Sequence, residues 1–205
     1  MNSTKLFPMF MKHGGRPCLV VGAGTVAESK IGSLIEADAR VLVVAPDATP
    51  GVRSWAQAKR VEWRQRIFQP SDLDGMFIVV AATSSKELHK KIFQEATQRG
   101  VLCNIVDVPE LCHFYYPAVV QRGALQIAVS TSGQSPALAQ RLRIELEEQF
   151  GPEYEAWLAY LGEAREKLQS QNLDPEERKR LLHELSSQEA FEAFRREHKQ
   201  ARSSG

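Results

Sequence analysis

Short uninterrupted apolar runs alternate with polar, helix-patterned stretches through the first half of this chain. The runs are Cys18-Leu19-Val20-Val21, Val41-Leu42-Val43-Val44-Ala45, Met76 to Ala82 and Val101 to Val106. None shows the in-out alternation of a half-exposed strand, so they suit a parallel sheet covered on both faces. Between the first two, Ala27, Ile31, Leu34 and Ile35 fall on one face of a helix. A short helix is predicted from Val52 to Lys59, a brief strand at Val61-Glu62-Trp63 and a turn at Asp72 to Gly75. Thr83-Ser84-Ser85 supplies an N-cap for a helix reaching Arg99, which Gly100 closes. Strand alternating with helix predicts a doubly wound α/β sheet from about Lys5 to Val106.

The pattern changes after Pro109. Leu125, Ile127 and Val129 alternate with Gln126, Ala128 and Ser130, giving a strand with two unlike faces. Ser135-Pro136 opens a helix that runs to about Phe150, where Gly151-Pro152 stops it. Beyond lies charged helical sequence, with a capping-box-like start at Asp174 to Glu177. Leu181, Leu182 and Leu185, then Phe191 and Phe194, form narrow stripes that suit a small helical bundle. Ala201 to Gly205 is expected to be a disordered tail. These shifts divide the chain into residues 1–112, a region at 113–150 and a C-terminal helical region at 151–205.

Composition narrows the class. Of 205 residues, 43% are hydrophobic and 25% charged, ordinary for a globular protein. The net charge of +1 provides no global field for nucleic acid or a membrane surface. Cys18, Cys103 and Cys112 are odd in number and lack metal-type spacing, so free thiols in a reducing cytoplasm are expected. No run is long enough to span a bilayer, and the N-terminal stretch has no signal-peptide pattern. A cytoplasmic location follows as the expectation.

The first apolar run ends in Gly22-Ala23-Gly24-Thr25-Val26-Ala27, a Gly-x-Gly-x-x-Ala turn between strand and helix. This is the phosphate-binding turn of a Rossmann-like dinucleotide unit. Gly22 permits the sharp turn, Gly24 leaves the backbone open to a pyrophosphate, and Ala27 lets the helix pack closely. The helix then offers free N–H groups and its positive dipole end. At the end of the second strand, Pro46-Asp47 offers an acid for ribose hydroxyls, which favours NAD, although Asp47 also reads as a turn residue. No arginine is adjacent; Arg53 is the nearest.

Other strand ends carry further candidates. Ala82 and Thr83 follow the third long strand, where open α/β sheets bind ligands; Thr83 reads equally as a helix cap. Asn104-Ile105-Val106-Asp107 ends the next strand, and Asp107 is either a proton acceptor at the reacting end of the cofactor or a solvated loop residue. Ser130-Thr131-Ser132-Gly133 leads into a helix N-terminus, a setting for a substrate carboxylate or an ordinary capped turn. His113 is a general acid or base, a metal contact or structural. Arg122, Arg141 and Arg143 face either an acidic substrate or solvent. No His, Cys and carboxylate cluster shows a metal site.

Taken in order, these segments resemble the precorrin-2 dehydrogenase family, the dehydrogenase module of siroheme synthase. The matching stretches are Leu6-Phe7-Pro8, Val20 to Lys30, Val79 to Thr83, Cys103 to Pro109, Phe114 to Ala118 and Ala128 to Ala139, spanning about residues 5–150. The resemblance implies a Rossmann-like doubly wound sheet, then a small α+β dimerisation region and the helical region. It implies NAD-dependent oxidation of precorrin-2 to sirohydrochlorin by a homodimer. Some members also insert ferrous iron to give siroheme. It places the catalytic role on Asp107. Cofactor contacts fall on Gly22, Ala23, Gly24, Thr25, Val26, Pro46, Asp47, Ala82 and Thr83. Tetrapyrrole contacts fall on Asn104, Ser130, Thr131, Ser132 and Gly133; some members carry Ser where Thr131 stands. The contrasting expectation is a non-catalytic module that senses NAD or carries a tetrapyrrole.

Overall fold

The computed structural model describes residues 5–203, which divide after Tyr116 into two compact units. The first unit is built on five parallel strands: β1 (Pro17–Val21), β2 (Arg40–Val44), β3 (Glu62–Arg64), β4 (Ile78–Ala81) and β5 (Leu102–Ile105). Their order is β3-β2-β1-β4-β5. The chain therefore winds outward from β1 in one direction and then returns to continue in the other. β1 and β4 flank the point of reversal, where such sheets open a crevice at their carboxyl ends.

Both faces are covered, as the unbroken apolar runs predict. Cys18, Val20, Val43 and Val80 join Ala27, Ile31 and Leu34 of helix α1 (Thr25–Glu36) in one core. Leu19, Val21, Val79 and Ala81 point the other way, against Ile92 and Ala96 of helix α3 (Lys86–Gln98). Alternate side chains of a strand leave opposite faces, so one sequence run fills two cores. Helix α2 (Pro50–Gln57) links β2 to β3 and is capped by the Thr49 hydroxyl, which accepts from Val52 N at 3.3 Å.

The turn expected at Asp72 to Gly75 is present, and Asp72 is buried in it. It lies in a 3-10 turn, Pro70–Leu73, and is 2% exposed. Its carboxylate accepts from Arg66 Nη1 at 2.8 Å, Arg64 Nη1 at 3.3 Å and the Gln69 amide at 2.8 Å. Burial pushes this carboxyl up, but the Arg66 fork, the Gln69 N–H and Arg64 together hold it below the ordinary carboxylate value.

The second unit starts with an antiparallel hairpin, β6 (Ala118–Arg122) and β7 (Leu125–Val129). β6 was not foreseen in the sequence: it is five residues long and stands immediately after Pro117. Helices α4 (Pro136–Gln149), α5 (Glu153–Ser170), α6 (Pro175–Leu185) and α7 (Gln188–Ser203) follow. Trp157 of α5 packs on Phe191 and Phe194 of α7, making the small bundle core that the aromatic stripes predict. Of the tail expected from Ala201, α7 extends through Ser203; Ser204 and Gly205 lie outside the described residues. Among the described residues no helix is long and apolar enough to cross a membrane.

Candidate dinucleotide and active site

The glycine turn is fastened on both sides. Gly22 N donates to Val44 O at 3.0 Å, Ala82 N donates to Val21 O at 2.9 Å, and Thr49 N donates to Ala23 O at 3.0 Å. Gly22 has φ of +102°, and a Cβ there would stand 2.3 Å from Ala82 O. Only glycine satisfies both conditions. Gly24 differs: its φ is −79°, and nothing lies within 4 Å of the position a Cβ would take. Its lack of a side chain serves no packing need inside the protein. It leaves open space in front of α1.

That helix end suits an anion. Gly24 is the N-cap of α1, and no side chain caps the helix. The first intrahelical bond runs from Glu28 N to Gly24 O at 2.9 Å, so the amides of the first turn have no intrahelical acceptor. Thr25 and Val26 are exposed there, whereas Ala27 is fully buried against the sheet. Across the crevice, Thr83 Oγ1 is buried and has no hydrogen-bond partner among the described residues. Thr83 is not the cap of α3: Ser85 Oγ takes that role, accepting from Leu88 N at 3.3 Å. The carbonyl of Thr83 instead accepts from buried His89. An uncapped helix end, a glycine facing open space and an orphaned hydroxyl together fit a dinucleotide pyrophosphate.

Asp47 stands exposed after β2. Its Oδ1 accepts from Ala48 N at 2.8 Å and pairs with Arg53, whose Nε donates to Ala48 O at 2.9 Å. Arg53, not adjacent in sequence, is thus brought into contact by the first turn of α2. Pro46 precedes it, exposed.

Asp107 follows β5 with φ of +61°, a left-handed conformation uncommon for a residue with a side chain. Val106 N donates to Ala81 O at 2.9 Å and Val108 N to Ile105 O at 3.2 Å, so the chain is pinned on both sides of it. Its side chain is exposed. Two residues of the matching stretches that carry no site role in the sequence pattern, Lys30 and Tyr116, join this end of the sheet. Lys30 of α1 is half-buried, with Nζ 4.1 Å above the Tyr116 ring. Burial lowers its pKa, and the nearby Asp107 charge opposes that shift. Lys30 lies one helical turn from buried Ala27, the spacing that could have placed it beside the packed face.

Several candidates have structural duties. Asn104 is 7% exposed, and its Nδ2 donates to Phe114 O at 2.8 Å, stapling β5 to the following segment. His113 Nδ1 accepts from Cys103 N at 3.1 Å, and the ring packs on Phe93 with centroids 5.0 Å apart. That makes His113 structural. In the second unit, Arg122 donates to Phe150 O at 2.9 Å and Glu147 O at 3.1 Å, satisfying carbonyls at the end of α4. Arg141 and Arg143 pair with Glu145 and Glu147 one turn on. The hydroxyl loop of that unit is partly self-satisfied. Thr131 Oγ1 donates to Ser135 O at 3.0 Å, Ser130 Oγ accepts from Ser132 N at 3.2 Å, and Ser135 Oγ caps α4. Ser132 and Gly133 are left-handed, with φ of +53° and +78°, and Ser132 is exposed. Among the described residues, no group of three or more His, Cys, Asp or Glu side chains could hold a metal ion.

Comparison with known proteins shows the family. Residues 9–118 match a family model described as putative NAD(P)-binding, more than half of the chain. Residues 122–149 match the central domain of sirohaem biosynthesis proteins. This chain belongs to the NAD(P)-binding family of the siroheme synthases. The siroheme synthase of Methylobacillus flagellatus is 40% identical over 159 residues, covering 78% of this chain and 34% of that protein. That of Thioalkalivibrio sulfidiphilus is 37% identical over 188 residues, 92% of this chain and 38% of that protein. The chain thus spans about a third, 30% to 38%, of the length of the curated relatives it matches. A solved structure of SirC, a precorrin-2 dehydrogenase, superposes with a TM-score of 0.81 at 25% identity, covering 91% of this chain and 92% of that one. The Rossmann-like sheet and the helices after it are therefore features of a known architecture.

Proposed function

We propose that this protein is an NAD-dependent oxidoreductase that converts precorrin-2 to sirohydrochlorin in siroheme biosynthesis. The observation that carries the reading is Asp107, an exposed carboxylate held left-handed on the rim that also bears the glycine turn. Strained backbone at a non-glycine residue costs roughly 1–3 kcal/mol and clusters at functional sites. The near full-length likeness to SirC and the family match support the same conclusion.

Oxidation of the macrocycle removes a hydride and a proton. When bound, NAD supplies the hydride acceptor. The first-turn amides of α1 and the space before Gly24 hold the pyrophosphate, and Thr83 Oγ1 gains the partner it lacks. Asp47 accepts from the ribose. Asp107 Oδ would take the proton released from the macrocycle as hydride leaves a neighbouring carbon. The Ser132 hydroxyl, with the backbone of the Ser130–Gly133 loop, is read as a carboxylate contact for the substrate, whose many acid groups need such anchors. Asn104 contributes by fixing the backbone before Asp107 rather than through a free amide.

We extend this to a cytoplasmic homodimer, with residues 113–150 as its dimer-forming part. Exposed Val119, Leu138 and Ile144 in that region support this. Ferrous iron is a further substrate for insertion at the same site, with Asp107 accepting pyrrole protons.

The test is spectral. Precorrin-2 and NAD with this protein should give the sirohydrochlorin spectrum and NADH in equal amounts. Asp107→Asn should bind NAD normally and lose most turnover. Failure to form NADH from authentic precorrin-2 sinks the proposal, and NAD binding without turnover points to the binding-module reading.

A further inference from the structure

Lys30 stands apart from the other lysines of this chain. It is half-buried in the second turn of α1, whereas every other lysine among the described residues is exposed. The usual partner of a helical lysine is a carboxylate three or four positions away. Around Lys30 those positions hold Val26, Ala27, Ser33 and Leu34, so no such pair can form. None of the ion pairs among the described residues includes it. Its partner is instead an aromatic face, with Nζ 4.1 Å from the centroid of the Tyr116 ring. That ring is itself held. Phe114 meets it edge-on, with centroids 5.5 Å apart, and packs in turn against the core on the α1 side of the sheet. The Phe114 carbonyl accepts from Asn104 of β5 at 2.8 Å. The ammonium therefore rests on a platform pinned to the strand that leads into Asp107, and the Asp107 charge is within electrostatic reach of it.

We propose that Lys30 anchors a carboxylate of the tetrapyrrole substrate and that Tyr116 is the positioning residue that aims it, an assignment that rests on the precorrin-2 reading above. Desolvating an ammonium without a counter-charge is unfavourable, and its attraction to a ring face offsets that only in part. A carboxylate arriving from solution completes the pairing. It also brings the macrocycle beside Asp107, the group that receives the proton. The dinucleotide pyrophosphate fits this cation less well. The first-turn amides of α1 already meet it, and Lys30 enters the helix about 7.5 Å along the axis from Thr25, at about 1.5 Å per residue.

Steady-state kinetics of the full chain with precorrin-2 at saturating NAD, paired with calorimetric titration of NAD, test the anchor. Lys30→Met keeps an apolar stem on the ring and removes the charge. It should raise KM for precorrin-2 about tenfold, equivalent to about 1.4 kcal/mol, leave kcat within about twofold and bind NAD as the native protein does. Lys30→Arg, which keeps the charge, should hold KM within about threefold of native. Tyr116→Leu should raise KM several-fold, and Tyr116→Phe, which keeps the ring face, should recover most of that loss. The native KM should also rise with ionic strength more steeply than that of Lys30→Met. Circular dichroism checks that each variant is folded, and if Lys30→Met is not, the two Tyr116 variants decide alone. An unmoved KM in folded Lys30→Met overturns the anchor. So does an equal loss of NAD affinity, which would make Lys30 a pyrophosphate ligand. Native protein that forms no NADH from precorrin-2 overturns the oxidoreductase reading itself, whereas native turnover with an unmoved variant KM strikes the anchor alone.

Discussion

Gly22 and Gly24 stand two residues apart in one turn, yet alanine at each should fail in a different assay. At Gly22 an alanine must hold φ near +102° and place Cβ 2.3 Å from the Ala82 carbonyl oxygen. The left-handed strain alone costs roughly 1–3 kcal/mol. The overlap is with backbone between β1 and β4, two central strands, so it cannot be relieved by a side-chain rotation. Gly22→Ala should lose about 3 kcal/mol or more of stability. At Gly24 the backbone is ordinary and the space is empty. Replacing glycine there even gains about 0.4–1 kcal/mol by restricting the unfolded chain, offset in part by a poorer N-cap. Gly24→Ala should therefore melt within a few degrees of the native protein. Its methyl group, however, stands between a pyrophosphate and the first-turn amides of α1. Losing one such charge-assisted bond, at about 1.5–3 kcal/mol, weakens NAD at least tenfold. Thermal melts followed by circular dichroism, paired with calorimetric titration of NAD, separate the two. A Gly24→Ala protein that binds NAD normally, or a Gly22→Ala protein that melts like the native one, would refute the division of labour.

The other expectations concern single side chains. Thr83→Val should leave stability unchanged or slightly raised, because the buried hydroxyl has no partner to lose, while NAD affinity falls several-fold; a measured loss of stability with intact affinity contradicts the ligand role. Asp107→Gly should raise the melting temperature by relieving a left-handed residue, at the expense of turnover; an unchanged rate removes Asp107 from the chemistry. Asp72→Asn should cost about 2 kcal/mol at neutral pH, toward the low end because both arginines keep some contact with water. The folded carboxyl lies below its unfolded value near 3.9. Its stabilisation is thus complete above that value and is lost as pH falls through the folded one. Urea midpoints of native and Asp72→Asn protein should accordingly begin to converge only below about pH 4 and meet once pH has fallen through the folded value, and a gap that does not narrow as pH falls argues against the linkage.

The linear pattern alone determined the doubly wound sheet. Two-faced burial demands unbroken apolar strands, and the Gly-x-Gly-x-x-Ala turn carries its own backbone requirement, so local sequence suffices for both. The position of Asp107 on the rim was also legible, because a strand end fixes which rim a residue occupies. What the tertiary structure decided is which polar groups have partners. Thr83 and Ser85 are equivalent as caps on paper, and only the folded helix start gives the role to Ser85 and strands the Thr83 hydroxyl. Asn104 and His113 carry plausible site chemistry but are consumed in holding β5 to the segment after it. Asp72 looks like a turn residue until Arg64 and Arg66, brought over it by β3 and the loop that follows, seal it from water. Arg53 meets Asp47 because one turn of α2 folds it back. A hydrogen-bond partner is a matter of a few ångströms in space, and spacing along the chain fixes that distance only within a single element. The sequence therefore named the cofactor turn and its rim, while the fold decided which side chains on that rim are free to act.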